Sequence, residues 1–467
     1  MFQVRLLVVA KQTQSIDRED IVSNSSRNSQ SSRREFIKKS VAGTVAAGTI
    51  ATPGLSLARS ANVGGSDTIR IGLVGCGGRG TQASQQAMNT EGNVELVAVA
   101  DAFEKRARRC VENVKGTHGD KVKIKDENIF VGLDAYEKLL ATDIEMVLLV
   151  TPPGFRPLHF EAAINAGKHV FMEKPVAVDP PGIRRVLKAN ELAKEKGLAV
   201  AVGLQRRHER AYMETIDKLR EGVIGDLLVS RVYWNSGLLW QNNRKKDEAE
   251  LRYQMRNWYY FNWLCGDHIV EQHIHNLDVI NWLLDDFPVS AQGQGGRLVR
   301  TGPDSGQIYD HHMVEYTYKN GHKMISQCRH MDGCWNKVGE HVLGSKGHCE
   351  VNRARIFDTK GDRIFQSKGK RGGHQQEHHD LFAEMRNGVI PNEGEYGAKS
   401  TMTSILGRLA TYTGKKMKFE DALNSNISLF DPDTMKDWNA KPPVMPNDNG
   451  KYPVAYPGKN SDKYIDF

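Results

Sequence analysis

An apolar run, Ile69–Val74, leads straight into glycines at 75, 77 and 80. No other stretch narrows the possible folds as far. Gly-x-Gly-x-x-Gly set between a strand and a helix is a phosphate-binding turn of a βαβ unit. Gly75 permits the tight turn, Gly77 lets backbone approach a pyrophosphate, and Gly80 lets the next helix lie against the strand. Gly78 and Arg79 fall within the same turn. The head of that helix offers free N–H groups and the positive end of its dipole to phosphate. A second apolar run, Val94–Ala100, ends at Asp101, 21 residues past Gly80, where a carboxylate accepts the adenosine ribose hydroxyls. Its charge disfavours a 2′-phosphate, so NAD is expected; Arg106, Arg108 and Arg109 keep NADP open.

Residues 67–177 alternate strand and helix patterns, as a doubly wound parallel sheet requires, and the dinucleotide-binding domain is expected over 67–190. Strands are predicted at 69–74, 94–100, 146–150 and 169–172, with a helix at 160–166. Ligands of such sheets bind at the carboxyl ends of the strands. Thr151 and Pro152 end one strand, and Glu173 and Lys174 end another, which puts all four on the cofactor edge. Lys174 stands between a buried strand and Pro175; it either reaches into the cleft or pairs with Glu173.

Upstream, residues 1–30 carry no periodic pattern. Ser32-Arg33-Arg34-Glu35-Phe36 and the weakly apolar run Val41–Leu57 then resemble a twin-arginine export signal, with Ser56-Leu57-Ala58 as a cleavage site. The net charge of +8 halves without residues 1–58, which hold eight Lys/Arg against four Asp/Glu. The remaining +4 shows no basic stripe interleaved with aromatics, so no nucleic acid partner is expected. Nor is any apolar stretch long enough for a stable membrane span. The six cysteines form no Cys-x-x-Cys pair, and only Cys328 and Cys334 suggest a disulfide.

The second half reads as α+β. Helices are predicted at 183–196 and 212–221, and strands at 198–202, 227–234, 313–318, 323–329, 338–343 and 348–351. Residues 191–415 would form a domain on an open, mostly antiparallel sheet, and 416–467 an extended tail that wraps over the surface without regular structure from Asp431. One helix is predicted over 267–284. At 100° per residue, His268, Glu271, His275 and Asp278 share an arc of about 80°, while His273 turns to the apolar side. Such a stripe is a solvated face, a catalytic face or a metal site. The His-Glu-x-x-His order is absent, and no metal is assigned.

Val-Gly-Cys-Gly-Gly-Arg-Gly at 74–80, the Thr-Pro-Pro turn, Glu173-Lys174-Pro175 and Glu221-Gly222-Val223-Ile224-Gly225 together resemble the Gfo/Idh/MocA family over roughly residues 67–415. The resemblance implies a Rossmann dinucleotide-binding domain followed by an open-sheet α+β domain. It also implies activity like that of glucose–fructose oxidoreductase and inositol dehydrogenase. In that family the lysine of Glu-Lys-Pro contacts the reacting sugar hydroxyl, and Lys174 matches it. The family run Asp-x-Gly-x-His-x-x-Asp reads here Glu271-x-His273-x-His275-x-x-Asp278. His275 matches the catalytic histidine and Glu271 its acidic partner, with Glu in place of Asp and His273 in place of glycine. His275, near its ordinary pKa, would take a hydroxyl proton; Lys174 would stabilise alkoxide charge; Glu271 would orient the imidazole or bind a neighbouring hydroxyl.

Gln205, Arg206, Arg207, His208, Asp278 and Trp258 are candidate substrate contacts, Arg206 and Arg207 being equally suited to pairing with buried carboxylates. Trp240, Arg252, Arg256, Tyr259, Tyr260 and Trp263 would share a stacking wall with Trp258, or pack an insertion. The reading is an oxidoreductase for a small carbohydrate or glycoside, exported to the periplasm by the twin-arginine translocase with NAD(H) tightly bound. An NAD-dependent glycosidase or lyase, and a non-catalytic carbohydrate-binding protein, stand as alternatives. A homodimer or homotetramer is implied by the resemblance.

Overall fold

The computed structural model describes residues 67–458. The twin-arginine segment predicted within 1–58 lies outside the described residues. Six parallel strands form the first sheet: β1 (Ile69–Val74), β2 (Val94–Asp101), β3 (Ile129–Val131), β4 (Met146–Leu149), β5 (His169–Met172) and β6 (Val200–Val202). Their order is β3-β2-β1-β4-β5-β6, with the order reversing between β1 and β4. That switch point opens a crevice at the carboxyl ends of the strands. β1 and β4 are buried almost throughout, as a sheet covered on both faces demands.

The predicted boundary at 190/191 falls too early. Val200–Val202 pairs in parallel with β5, so the nucleotide sheet runs on to Val202. Three consecutive buried residues leave no amphipathic signature by which to assign that strand to either domain.

A nine-stranded sheet forms the second domain. Its strands are β7 (Leu227–Ser236), β8 (Ser290–Gly296), β9 (His311–Thr317), β10 (Lys323–His330), β11 (Lys337–Gly344), β12 (Gly347–Glu350), β13 (Arg355–Asp358), β14 (Arg363–Gln366) and β15 (Met417–Lys418). The order is β14-β13-β12-β11-β7-β10-β9-β8-β15, antiparallel except where β10 runs parallel to β7. Helices Ile274–Leu284 and Gly394–Thr413 cover one face. β8, β13, β14 and β15 escaped prediction: β8 reads Ser-Ala-Gln-Gly-Gln-Gly-Gly, and the others are short strands at the sheet's ends.

The helix predicted over 267–284 is broken. His268–Glu271 forms one turn, and Ile274–Leu284 begins again beyond Gln272–His273. His273 is buried and hydrogen-bonds Ser326 Oγ through Nε2 at 2.8 Å, which anchors the break to β10. The single polar face therefore does not exist.

The tail also differs from expectation. Met417–Lys418 joins the sheet and Phe419–Leu423 is helical. Farther on, Leu429, Met435, Val444 and Tyr452 are buried against Leu251, Tyr253, Phe261 and Trp263 of the insertion. The tail and the insertion thus share an apolar core beside the nucleotide domain. No helix among the described residues is long and apolar enough to cross a membrane. All six cysteines are free thiols; Cys328 is buried and Cys334 exposed, so the suggested disulfide does not form.

Candidate active site

The glycine turn caps a cleft of about 680 Å³. Gly75 has φ +101°, a conformation that side chains resist. A Cβ on Gly80 would lie 1.8 Å from the Gly75 carbonyl oxygen, so helix Gly78–Met88 seats only on glycine. Gly77 and Gly78 differ. A Cβ there would meet nothing within 4 Å, and both line the cleft. These two positions leave room for something other than protein, as a pyrophosphate cradle requires.

Asp101 closes the far end. Its carboxylate accepts hydrogen bonds from the Cys76 and Phe103 amides, both at 2.8 Å, and it faces the cleft beside Arg106. Burial raises its pKa, against the pull of those two amides. Thr151 and Pro152 line the opposite wall. Arg156, buried beneath them, donates to the carbonyls of Leu149, Thr151 and Pro175. One guanidinium thus ties together the ends of β4 and β5. Nothing in the local sequence distinguishes Arg156 from a surface arginine on a helix, so its role shows only in the fold.

Glu173 forms a buried ion pair with Arg79. Despite the cost of burial, Arg79 and Lys174 hold its pKa below the ordinary value. Arg79 also reaches Glu377, 3.2 Å away, whose pKa burial and the Glu173 charge push well up. Lys174 does not pair with Glu173 through its ammonium. Its Nζ donates to the Glu271 carbonyl at 2.6 Å and to Glu271 Oε1 at 3.0 Å. Two of its three N–H groups are used, and one remains to face the cleft it lines.

His275 opens helix Ile274–Leu284, and its ring lies against Trp234 with centroids 6.0 Å apart. It lines the cleft, and its Nδ1 is buried without a hydrogen-bond partner. The expectation of an ordinary pKa fails. Burial first, then the charges of Lys174 and Arg206, hold His275 well below 6.5. It therefore stands as a neutral imidazole able to accept a proton. Glu271 does not orient it. Glu271 Oε1 is taken by Lys174, and Oε2 is buried without a partner.

Lys174, Glu271 and His275 line one cleft with Gly75, Gly77, Gly78, Arg79, Gly80, Asp101, Thr151, Pro152, Glu173 and Trp258. Arg206, Arg207 and Asp278 lie elsewhere. Arg206 forms a buried ion pair with Glu340, which also accepts from Tyr212 Oη and Asn276 Nδ2. Arg207 pairs with Asp278 at 2.8 Å and covers the Tyr396 ring. Isolated buried charges are too costly to leave unpaired, so these arginines are consumed within the domain. Of the aromatic wall, Trp240 and Trp258 reach the cleft with Met255. Trp263, Tyr259 and Tyr260 are core, Arg252 stacks on Trp438, and Arg256 pairs with Glu248. Gln205, expected to reach the substrate, lines the cleft, while His208 is held by Asp380 at 2.7 Å; Trp234 and His374 line the cleft unforeseen. Only the fold brings them there.

Residues 69–204 match the model of the Gfo/Idh/MocA oxidoreductase family, an NAD-binding Rossmann fold. The inositol 2-dehydrogenase of Pseudomonas fluorescens (strain SBW25) is 30% identical over 228 residues, 48% of this chain and 57% of that protein. That of Rhizobium meliloti (strain 1021) is 27% identical over 289 residues, 62% of this chain and 77% of that protein. The chain spans about half the length of the curated relatives it matches, 55% in the case of the Salmonella typhimurium inositol 2-dehydrogenase. Among solved structures, scyllo-inositol dehydrogenase from Lactobacillus casei, with bound NAD(H) and scyllo-inositol, superposes with a TM-score of 0.56 at 20% identity, covering 76% of this chain and 99% of that one. Levoglucosan dehydrogenase in complex with NADH and levoglucosan gives 0.59 at 16% identity, covering 75% and 99%. The structural likenesses establish the two-domain fold.

Proposed function

We propose that this chain, whose residues 69–204 form an NAD-binding Rossmann domain of the Gfo/Idh/MocA type, is an oxidoreductase acting on a secondary hydroxyl of a polyol or sugar. One observation carries the reading. Lys174 from the nucleotide domain and Glu271 and His275 from the second domain meet at the cleft that the empty-sided glycines cradle. The residues present fit the dinucleotide: Gly77 and Gly78 would take the pyrophosphate, Asp101 the adenosine ribose, and Thr151 and Pro152 the nicotinamide half. When bound, NAD supplies the hydride acceptor. Asp101 disfavours a 2′-phosphate, so NAD rather than NADP is the cofactor.

The chain's own groups handle the proton and the charge. Neutral His275 takes the hydroxyl proton as general base. Lys174, steadied on Glu271, directs its remaining N–H at the same oxygen and stabilises the negative charge that develops there. The unpartnered Glu271 Oε2 accepts from a neighbouring hydroxyl of the substrate, which selects for a vicinal diol. Trp258 and Trp240 offer apolar faces to C–H groups, as cyclic polyols require. Inositols, named as substrates of the relatives matched above, head the candidates.

The basic segment Ser32–Lys39 and the weakly apolar run behind it support export of the folded, NAD-loaded protein through the twin-arginine translocase to the periplasm. Copies would then associate through the sheet face opposite the helices, where Met313 and Leu343 are exposed.

The test begins with protein recovered after export, without added nucleotide. Denaturation should release NAD(H) in about one equivalent, identified by mass. Inositols and anhydrosugars should then yield NADH absorbance with wild type and not with His275→Ala. Bound NAD with no turnover of any polyol would sink the oxidoreductase reading; absence of the protein from the periplasm would sink only the export reading.

A further inference from the structure

Behind the cleft lies a second cluster that the proposed reaction does not use. Asp267, His268 and His312 are buried, and one ligand atom from each lies within 4.8 Å of the others. Asp267 precedes the short helix His268–Glu271 and holds a non-glycine φ of +77°. His312 projects from β9 on the helix-covered side.

Both carboxylate oxygens of Asp267 accept hydrogen bonds, while the imidazoles of His268 and His312 keep ring nitrogens without partners. Asp267 Oδ2 accepts from the Tyr309 amide at 2.9 Å and from Tyr412 Oη at 2.6 Å. The Thr411 hydroxyl donates to helix carbonyls, so it accepts the Nδ1–H of His312 at 2.9 Å. That turns Nε2 of His312 to the interior. It points toward Asp267 Oδ1 at 3.3 Å with no hydrogen bond formed, and His268 Nε2 stands 3.8 Å from the same oxygen. Neither ring nitrogen of His268 has a partner. The His268 amide donates to the same Asp267 Oδ1 at 2.5 Å, and imidazole nitrogens of His268 and His312 without hydrogen-bond partners converge on that oxygen in a buried space.

We infer that Asp267, His268 and His312 form a structural site for a divalent transition metal, zinc by its donor set. Bonds of about 2.0–2.1 Å in a tetrahedron set ligand edges at about 3.3 Å, the His312–Asp267 separation here. Fixing the outer nitrogen of a ligand histidine with a hydrogen bond, as Thr411 does, is the usual way its tautomer is set. A solvent molecule completes the coordination. Because the ligands are buried, the ion enters as the chain folds. Its role is to pin the turn that carries Glu271. The Glu271 amide donates to the Asp267 carbonyl at 2.9 Å, and Glu271 in turn holds Lys174.

The experiment is native mass spectrometry and elemental analysis of full-length protein made in zinc-supplemented cells and purified without chelator. About one zinc per chain is expected, absent from Asp267→Asn and His312→Ala and retained in Cys334→Ser. X-ray absorption of the wild type guards against variants that fail to fold. It should show nitrogen and oxygen neighbours with imidazole scattering and no sulfur. Wild type with less than a tenth of an equivalent of any transition metal overturns the proposal. So does a bound metal with sulfur ligands, or one retained in both folded variants.

Discussion

The two walls of the cleft are built in opposite ways. The nucleotide wall comes from contiguous sequence: one turn at Gly75–Gly80, one strand end at Asp101, one at Thr151–Pro152 and one at Glu173–Lys174. Each stands at the carboxyl end of a parallel strand, so topology alone brings them together. The opposite wall draws Gln205, Trp234, Trp240, Trp258, Glu271, His275 and His374 from strands, helices and an insertion far apart in the chain. Local rules suffice for the first wall. The second depends on which buried charges find partners, and so on the whole domain.

The largest effect should come from the group shared by both walls' chemistry. His275→Ala should lower kcat by about 10²- to 10⁴-fold, the usual worth of a general base, with NADH binding unchanged by fluorescence titration. A loss under tenfold would remove His275 from the mechanism. The acid limb of kcat/KM should lie well below pH 6.5, since burial, Lys174 and Arg206 depress His275. Lys174→Met removes one of those charges and should move the limb upward, whatever it does to the rate.

Arg206→Ala separates the two readings of the second wall. As half of a buried ion pair its loss should cost about 3–5 kcal/mol in urea denaturation, because Glu340 is left enclosed without its cation. A substrate-contacting arginine would instead raise KM and leave stability untouched.

Within the glycine turn, two substitutions should divide cleanly. Gly80→Ala drives a methyl into the Gly75 carbonyl and should lower stability by about 1–3 kcal/mol. Gly77→Ala meets no protein atom and should change stability by less than about 0.5 kcal/mol while weakening NAD binding. Equal stability in both variants would refute the distinction between seating and cradle.

The smallest effect concerns His273, whose pKa burial lowers to about 3. Below the ordinary value near 6.5 the unfolded chain takes up a proton that the folded state refuses, so stability falls with pH and continues to fall toward about 3. At about pH 5.5 the loss is about 1.4 kcal/mol from this residue, and His273→Gln should flatten the thermal unfolding profile by that amount.

One break in the chain disperses the polar stripe. His268, Glu271, His275 and Asp278 fell on one arc only because a continuous helix was assumed. The break at Gln272–His273, tied to Ser326, sends His268 into the buried cluster, Asp278 to Arg207, and Glu271 and His275 into the cleft. Arg207 and Asp278 could not be paired from sequence, because nothing in either segment names the other. The tail from Asp431 looked polar and proline-rich, and its scattered apolar residues gained meaning only against the insertion's aromatics.

What the sequence determined by itself was the Rossmann fold, its glycine turn, and the positions of Asp101 and Lys174 at strand ends. These rest on backbone geometry within a few residues: a strand, a turn only glycine can make, and a helix start. Tertiary structure alone decided that Lys174 is held by Glu271, that His275 is neutral, and that Asp267, His268 and His312 converge. Each depends on dielectric, charge pairing and distance between segments remote in sequence, and no local pattern encodes those quantities.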